Sequence, residues 1–554
     1  MNITDCILEH LEKVTKKYGQ LPEDSRPVLE PPKLAAHGDL SSNIALCLAK
    51  IAGKKPRDIA QEIINDLKIP SEICEKVDIA GPGFINFYLA KDCIYKLLLE
   101  IISEGGKYGK TDFGGQKKVL IEFVSANPTG PLTIAHARQA VVGDILASIM
   151  ETAGFSVERE YYLNDRGRQM RLLAESTRAR YLELLGETVE FPADGYKGGY
   201  MIDIAREFMK ENGDEYKDVE ISKALPIFQE YTKEKIMDMI RKDLSDTHVE
   251  FDNWTSETKL VESGAVEKCL KLLEEKGYIY KEEGAVWFRS MDFGDDKNRV
   301  LIKGTGEMTY LVPDIAYHDG KYKRGFEMLI DLWGPDHHGY IPRLKAAMQA
   351  LGRDKESLRV LIVQLSTLYK NGQQLSMSTR AGEFVSLRDL LNEVGCDAAR
   401  YFLIMRKPEA HLDFDLDIAK KETSDNPVYY VQYAHARIAS IFTKYEDTTG
   451  APINGFDFTK VDMSPLMEKE EIELIKFLSQ FPVIIEDCAR ILGPHLLTDY
   501  MENLVSRFHT YYEKYKIVGA DVPLMNARLA LIKGIQIILQ NGLRILGVSV
   551  PERM

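Results

Sequence analysis

The sequence predicts an α/β multidomain protein, in which a Rossmann-type parallel-sheet domain with a helical insertion follows an N-terminal α/β module and precedes a C-terminal all-α bundle. Three observations carry this. A chain of 554 residues exceeds what one hydrophobic core organises, and at roughly 150 residues per domain it holds about three or four domains. A β-branched apolar run, a sharp turn and an amphipathic helix follow one another from Val119 to Gly154. From about Leu387 to the end, apolar residues recur at helical spacing.

The first hundred or so residues read as helices and then short strands. AHGDLSSNIALCLAKIAG offers hydroxyl caps and an apolar stripe at Ile44, Leu48 and Ile51, and VDIAGPGFINFYLA is a pair of β-like runs around a Gly-Pro-Gly turn. Gly105 to Gln116 has the composition of a linker. Val119 to Val124 then reads as a buried strand, Asn127 to Pro131 as a turn, and Val141, Val142, Ile145, Leu146 and Ile149 as one helical face ended by Gly154. Strand, turn and helix in this order open a nucleotide-binding α/β domain. Residues from about 170 to 290 are charged and mostly helical, an insertion. Sheet-like runs return at RVLIKG, MTYLVPDIAYH, MLIDLWG and VLIVQLSTLY, and the last helices carry a stripe through Leu497, Met501, Leu504, Val505, Phe508, Tyr511 and Tyr512.

Hydrophobic residues at 45% and charged residues at 28% match soluble globular proteins and exclude a disordered or fibrous chain. The start MNITDCILEHLEKVTKKYG lacks the basic flank and unbroken apolar core of a signal peptide, and no run reads as the ~18 consecutive apolar residues of a membrane span. The seven cysteines show no pair at metal-ligand spacing, so they read as free thiols in a reducing, cytoplasmic setting, and neither a zinc site nor another tightly bound metal is expected. A net charge of −14 argues against non-specific grip on nucleic acid. Any RNA partner has to be met by local basic patches.

A strand feeding a helix start aims free N–H groups and the positive end of the helix dipole at whatever lies above the turn, which favours phosphate. His136 lies in that first turn and could donate to a phosphate oxygen, although a histidine there also serves as a cap or packing residue. The segment IEFVSANPTGPLTIAHARQAVVGD resembles the arginyl-tRNA synthetase stretch that carries the class I "HIGH" signature. Carried over by position, His136 is the second His, which helps bind ATP phosphates. Thr133 stands where the first His is expected and Ala135 where Gly is expected, beside the adenine. Threonine donates one hydrogen bond but carries no charge.

GQQLSMSTRAGEFVSLRDLL resembles the second signature, the "KMSKS" loop that closes on pyrophosphate, in the KMSTR form. Met377, Ser378, Thr379 and Arg380 are in place and Ser376 replaces the first Lys. Some members compensate with a Lys before the first signature; the matching position is Gly130. Without its neighbour, the stretch would read as a loop with an N-cap.

A guanidinium pairs with a carboxylate through two parallel hydrogen bonds, so arginine recognition needs acids. The resemblance nominates Tyr310 and Asp314 for the guanidinium and Glu122 and Asn127 around the α-amino and carboxylate groups. Glu122 stands out by itself, because an acid in an apolar strand is costly unless paired. Asp336 and His338 in WGPDHHGYIPRLKAA match a segment on the nucleotide side of the pocket; Asp-His-His could also be read as metal ligands, but no further ligand cluster accompanies it. Asn164 and Asp165 match a family segment that otherwise reads as a turn.

Tyr430, Tyr433 and Arg437, in a segment that also holds Gln432 and His435, resemble the opening of the family's anticodon-binding domain. Tyr512 and Lys516 interleave aromatic and basic residues in the same way, which suits splayed bases and phosphates, with a core face and a solvated face as the plain alternative. Asn86, in GPGFINFYL, matches the N-terminal module that touches the tRNA elbow.

The resemblance implies four parts: an elbow-binding module at 1–110; a catalytic domain at 111–365 with its insertion at about 171–290; a connecting fold at 366–425; and an anticodon-binding bundle at 426–554. It implies ATP with Mg2+ as substrate, no other cofactor, arginine and tRNA(Arg) as partners, no membrane, and a monomer. Two other readings fit the altered signatures: a tRNA-binding paralogue with weakened activation, or a class I synthetase for another amino acid.

Overall fold

The computed structural model describes the chain apart from residues 1–2, 20–28, 31, 33–36 and 376–384, and the side chain of Asp5. At its centre lies a sheet of five parallel strands, β1 Lys118–Glu122, β2 Ser156–Leu163, β3 Asn253–Ser256, β4 Met328–Trp333 and β5 Leu358–Ile362. They lie side by side in the order β5-β4-β1-β2-β3. The order reverses between β1 and β4, and in such sheets ligands bind beyond the carboxyl ends of the strands at that point. Val119, Leu120 and Ile121 are fully buried, as a strand covered on both faces requires.

The helix Ile134–Thr152 follows β1 and buries Ile134, Ala137, Val141, Val142, Ile145 and Ile149. The predicted strand, turn and helix are thus present, with the strand ending at Glu122. MTYLVPDIAYH, read as sheet-like, is instead part of the helix Leu311–Lys323. Its apolar run cannot be told from a strand by pattern, and its Leu311, Val312, Ile315 and Ala316 pack into a buried cluster. The 170–290 stretch is not all insertion either. Three helices, Arg168–Leu184, Gly199–Asn212 and Ile221–Asp246, bury their own aromatic centre of Tyr181, Phe208 and Phe228. The chain then returns to supply edge strand β3 before a separate antiparallel sheet made of Ile279–Glu282, Ala285–Phe288 and Arg299–Ile302.

In the N-terminal module a four-stranded antiparallel sheet packs with helices, and Ile44 and Leu48 are buried as read, whereas Ile51 is exposed. The linker-like stretch is docked: Tyr108 is buried, and the Asn541 amide donates to the carbonyls of Gly105 and Tyr108 at 2.9 and 3.0 Å. The C-terminal part is a helical bundle with Leu497, Met501, Leu504, Val505, Phe508 and Tyr511 in its core. Its last helix, Val522–Ile545, is the one helix among the described residues long and apolar enough to cross a membrane, and two thirds of its most apolar stretch is buried inside the protein.

One buried guanidinium ties the bundle to the centre. Arg400 donates to the carbonyl of Leu546 at 2.8 Å, to that of Thr247 at 2.7 Å and to the carboxylate of Asp144 at 2.6 Å. Gly547 has φ 64°, and a Cβ there would lie 2.4 Å from the guanidinium. Gly547→Ala should therefore cost roughly 2 kcal/mol or more and lower the melting temperature by several degrees in a thermal scan; an unchanged melting temperature would show that the junction yields freely.

Candidate active site

Three carboxylates stand in register across the centre of the sheet. Glu122 at the end of β1 pairs with Asp331 of β4 on one side and with Glu160 of β2 on the other. Glu160 and Asp331 are fully shielded and Glu122 nearly so. Buried charge of one sign is untenable unless matched. The match comes from the helix Leu311–Lys323 and the residue after it. Lys321 Nζ lies 2.5 Å from Glu122 and 3.0 Å from Asp331. His318 Nε2 lies 2.8 Å from Asp331, and Tyr317 and Arg324 each reach Glu160 at 2.6 Å. Burial opposes the charge on Asp331, but Lys321 and His318 together hold its carboxyl well below the usual range. Burial likewise opposes the charge on Lys321, and the surrounding carboxylates hold its ammonium above its usual range. Glu122, His318 and Asp331 have donor atoms close enough together for a metal. The Lys321 ammonium already bonds both carboxylates, so the group fits a fixed internal cation better than an added one.

This neutralisation sets Asp314. Positions 314, 318 and 321 share one face of the helix, and the Asp314 carbonyl lies 2.7 Å from His318 Nδ1. One turn nearer the helix start, the Asp314 carboxylate accepts from the Tyr340 hydroxyl at 2.6 Å. A second acid faces the same space. Asp165 accepts from the Thr258 N–H at 2.9 Å and the Ser256 hydroxyl at 2.7 Å, fixing the start of the helix Glu257–Glu262 and with it Glu257. Burial raises the Asp314 carboxyl above its ordinary range despite the Tyr340 bond, and burial and then Asp314 raise that of Glu257. Tyr162, whose ring lies 4.5 Å from that of Tyr317, is raised by burial and then by Glu257, Asp314 and Glu122. Among the described residues neither Asp314 nor Glu257 has an ion-pair partner.

Glu122 is aimed by a strained turn. Val124 has φ 68°, rare for a β-branched residue, and the Ser125 N–H bonds the Phe123 carbonyl at 2.9 Å. That brings the Ser125 hydroxyl to 2.9 Å from Glu122, while its oxygen accepts from the Tyr162 N–H at 3.0 Å. Asn127 is exposed beyond the turn and donates to Gln169 at 2.8 Å.

At the helix start, Thr133 is the N-cap and His136 completes a capping box. The Thr133 backbone N–H donates to His136 Nδ1 at 3.1 Å. An Nδ1 that accepts leaves the proton on Nε2, and burial lowers the ring's pKa, so His136 is neutral and carries an Nε2–H donor. The threonine in place of the first His thus serves the helix start. A Cβ at Gly130 would lie 2.9 Å from the Tyr200 hydroxyl, which donates to the Thr129 carbonyl at 2.6 Å, so a longer side chain there would have to displace Tyr200.

The structure places the other predicted residues unevenly. Tyr310 is 80% exposed at the start of the helix Leu311–Lys323. Ala135 lies on the first turn of the signature helix, and Asp336 and His338 are exposed on the segment after β4. Met377, Ser378, Thr379 and Arg380 lie outside the described residues. Asn86 is 1% exposed, accepting from the Ser41 hydroxyl at 2.7 Å. In the bundle, Arg437 donates to the Tyr433 hydroxyl at 2.6 Å and lies over the Tyr433 and Tyr512 rings, while the Tyr430 ring lies tilted 4.9 Å from that of His509 and Lys516 is exposed. Sequence reasoning missed Lys321, Glu160, Glu257 and Tyr340.

Comparison with known proteins agrees along the whole chain. The model described as "tRNA synthetases class I (R), catalytic domain" matches residues 98–438, "Arginyl tRNA synthetase N terminal domain" matches 1–89 and "DALR anticodon binding domain" matches 431–554. The chain is 47% identical to an arginine–tRNA ligase of Syntrophotalea carbinolica over 97% of this chain and 96% of that protein. It is 46% identical to one of Bacillus subtilis over 99% of each. Its fold is like that of Thermus thermophilus arginyl-tRNA synthetase, with a TM-score of 0.78, 21% identity and both chains covered in full.

Lys321→Met should lower stability by about 3–5 kcal/mol, since it strands two buried carboxylates. Those carboxylates take up protons more readily in the folded variant than in its unfolded chain, so the loss shrinks as pH falls. Melting temperatures of parent and variant should differ less at pH 5 than at pH 8; a pH-independent difference would mean the network is not ionised as described.

Proposed function

This chain belongs to the arginyl-tRNA synthetase family of class I ligases, and from that premise we propose how its own residues join arginine to tRNA. The reaction runs in two steps. An oxygen of the arginine carboxylate attacks the α-phosphorus of ATP and pyrophosphate leaves. A ribose hydroxyl at the tRNA 3′ end then attacks the arginyl carbonyl carbon and AMP leaves. No covalent enzyme nucleophile is required, so the protein contributes positioning and charge stabilisation.

The guanidinium enters between Asp314 and Glu257. Tyr340 holds one oxygen of Asp314, which orients the carboxylate for a forked pair, and Tyr310 stands exposed at the rim where it can cover the substrate. Glu122 and Asn127, on either side of the strained turn, take the α-amino and carboxylate end. ATP, with its Mg2+, lies above the start of the helix Ile134–Thr152, where free N–H groups and the His136 Nε2–H meet phosphate oxygens and Ala135 faces the adenine. Asp336 and His338 line its other side. On the bundle, Tyr430, Tyr433, Arg437, Tyr512 and Lys516 form an aromatic and basic face for unpaired anticodon bases, a local patch on a chain of net charge −14. The protein works where its ATP and tRNA are, in the cytoplasm. Asn86, buried as it is, shapes the tRNA-facing turn through its hydrogen bonds.

One observation supports this reading above the rest: two acids, Asp314 and Glu257, raised by burial, the second also by the first, and without an ion-pair partner among the described residues. In tRNA charging assays, Asp314→Ala should lose about 100-fold or more in kcat/KM for arginine, roughly 3 kcal/mol. Loss of less than about threefold would remove Asp314 from the pocket.

The pH dependence has a definite sign. Asp314 and Glu257 bind protons more tightly than ordinary acids in the free protein, and a guanidinium favours their ionised forms. Arginine affinity should therefore rise with pH through their free-state pKa values and level off above them, with proton release on binding in the rising part. Calorimetry in two buffers of different ionisation heat measures that release; proton uptake would contradict the assignment.

A further inference from the structure

His136 and Arg138 lie two residues apart on the helix Ile134–Thr152, about 200° apart around its axis, so they face opposite sides. Arg138 is fully buried. Its guanidinium meets four main-chain carbonyls: Gln364 and Ala410 at 2.8 Å, Lys407 at 3.1 Å and Leu403 at 3.4 Å. Among the described residues no carboxylate pairs with it, and burial pushes its pKa down to about 10, with distant Glu409 opposing.

Such a cation is an expensive way to fill space, since a Met or Leu would pack there without desolvating a charge. What a guanidinium adds is a planar fork of fixed geometry. Its acceptors come from two stretches of chain, Gln364 and the run from Leu403 to Ala410. Gln364 follows β5, and its own N–H bonds the Pro408 carbonyl at 2.8 Å; Lys407 and Ala410 lead into the strand Leu412–Asp415; Leu403 closes the helix Leu387–Ile404. The fork thus registers the first turns of the signature helix against the edge of the sheet. Those turns need it, because the first N–H groups of a helix have no partner within the helix and its end frays most easily.

We propose that Arg138 is a positioning residue for the phosphate step: it fixes the rotation and height of the helix start so that the His136 Nε2–H stands where the ATP phosphate passes. This rests on the reading of His136 above. A displacement of ~1 Å at such a donor is enough to cost on the order of 100-fold in rate.

The test is a double-mutant cycle on arginine-dependent ATP–pyrophosphate exchange in the presence of tRNA, with Arg138→Lys, His136→Ala and the pair. Arg138→Lys keeps the charge but loses the fork. In the His136 background it should lower kcat by about 10-fold to 100-fold while KM for arginine stays within about twofold. In the His136→Ala background it should change kcat by less than about twofold, because the donor it serves is gone. Arg138→Met, which fills the same space, serves as the second variant, with melting temperature recorded for each. Equal loss in both backgrounds, kcat within twofold of the parent, or failure of both Arg138 variants to fold would overturn the proposal. Full activity of His136→Ala alone would instead sink the reading of His136.

Discussion

Three acids in register across a buried sheet can exist only with cations laid over them, and the rest of the site follows from how this chain supplies those cations. Lys321, Arg324 and His318 lie on or just after one helix, so meeting the charge requirement of Glu122, Glu160 and Asp331 fixes that helix over the sheet at one rotation and height. Asp314 rides on the same face, one turn earlier. Its carboxylate is therefore held in place by the ion-pair network beneath it. The arrangement separates two kinds of acid. Those beneath are neutralised by the protein, whereas Asp314 and Glu257 have no ion-pair partner among the described residues.

The strand-turn-helix unit was readable because its pattern is local: a β-branched run, an Asn/Pro/Gly turn, and one apolar helical face. Glu122 was also readable as an anomaly, a charge inside an apolar strand. Its partner was not, since Lys321 sits 199 residues away and nothing in the neighbourhood of either residue points to the other. Glu257 was hidden for a related reason. It follows a four-residue strand with little apolar signal, Asn253–Ser256, which joins the sheet only at its edge. Asn164 and Asp165 read as a turn by themselves; only the fold reveals that Asp165 caps the helix that presents Glu257. The helix Leu311–Lys323 was misread because tertiary burial on several sides gives an apolar run without clear periodicity.

The departures in the first signature acquire a physical meaning in this setting. Thr133 gives up the positive charge a histidine can carry but is a good N-cap, and its backbone N–H fixes the tautomer of His136. Gly130 is held small by Tyr200, which reaches across from the helical insertion. The insertion, whose role the sequence left open, thereby packs against the turn that precedes the signature helix. Arg138 and Arg400, both buried and both bonded mainly to backbone carbonyls, link the signature helix to the connecting fold and to the bundle. Geometry at the helix start is thus set by contacts from most of the molecule.

The central claim is that the cleft selects charge as well as shape. Citrulline has the length and planarity of arginine but a neutral head group, so it separates the two. Titration of the protein with each amino acid, in the presence of tRNA and an unreactive ATP analogue, should give arginine binding at least about 100-fold tighter than citrulline, since a neutral ligand leaves Asp314 and Glu257 unmatched. Equal affinity for the two would contradict the account.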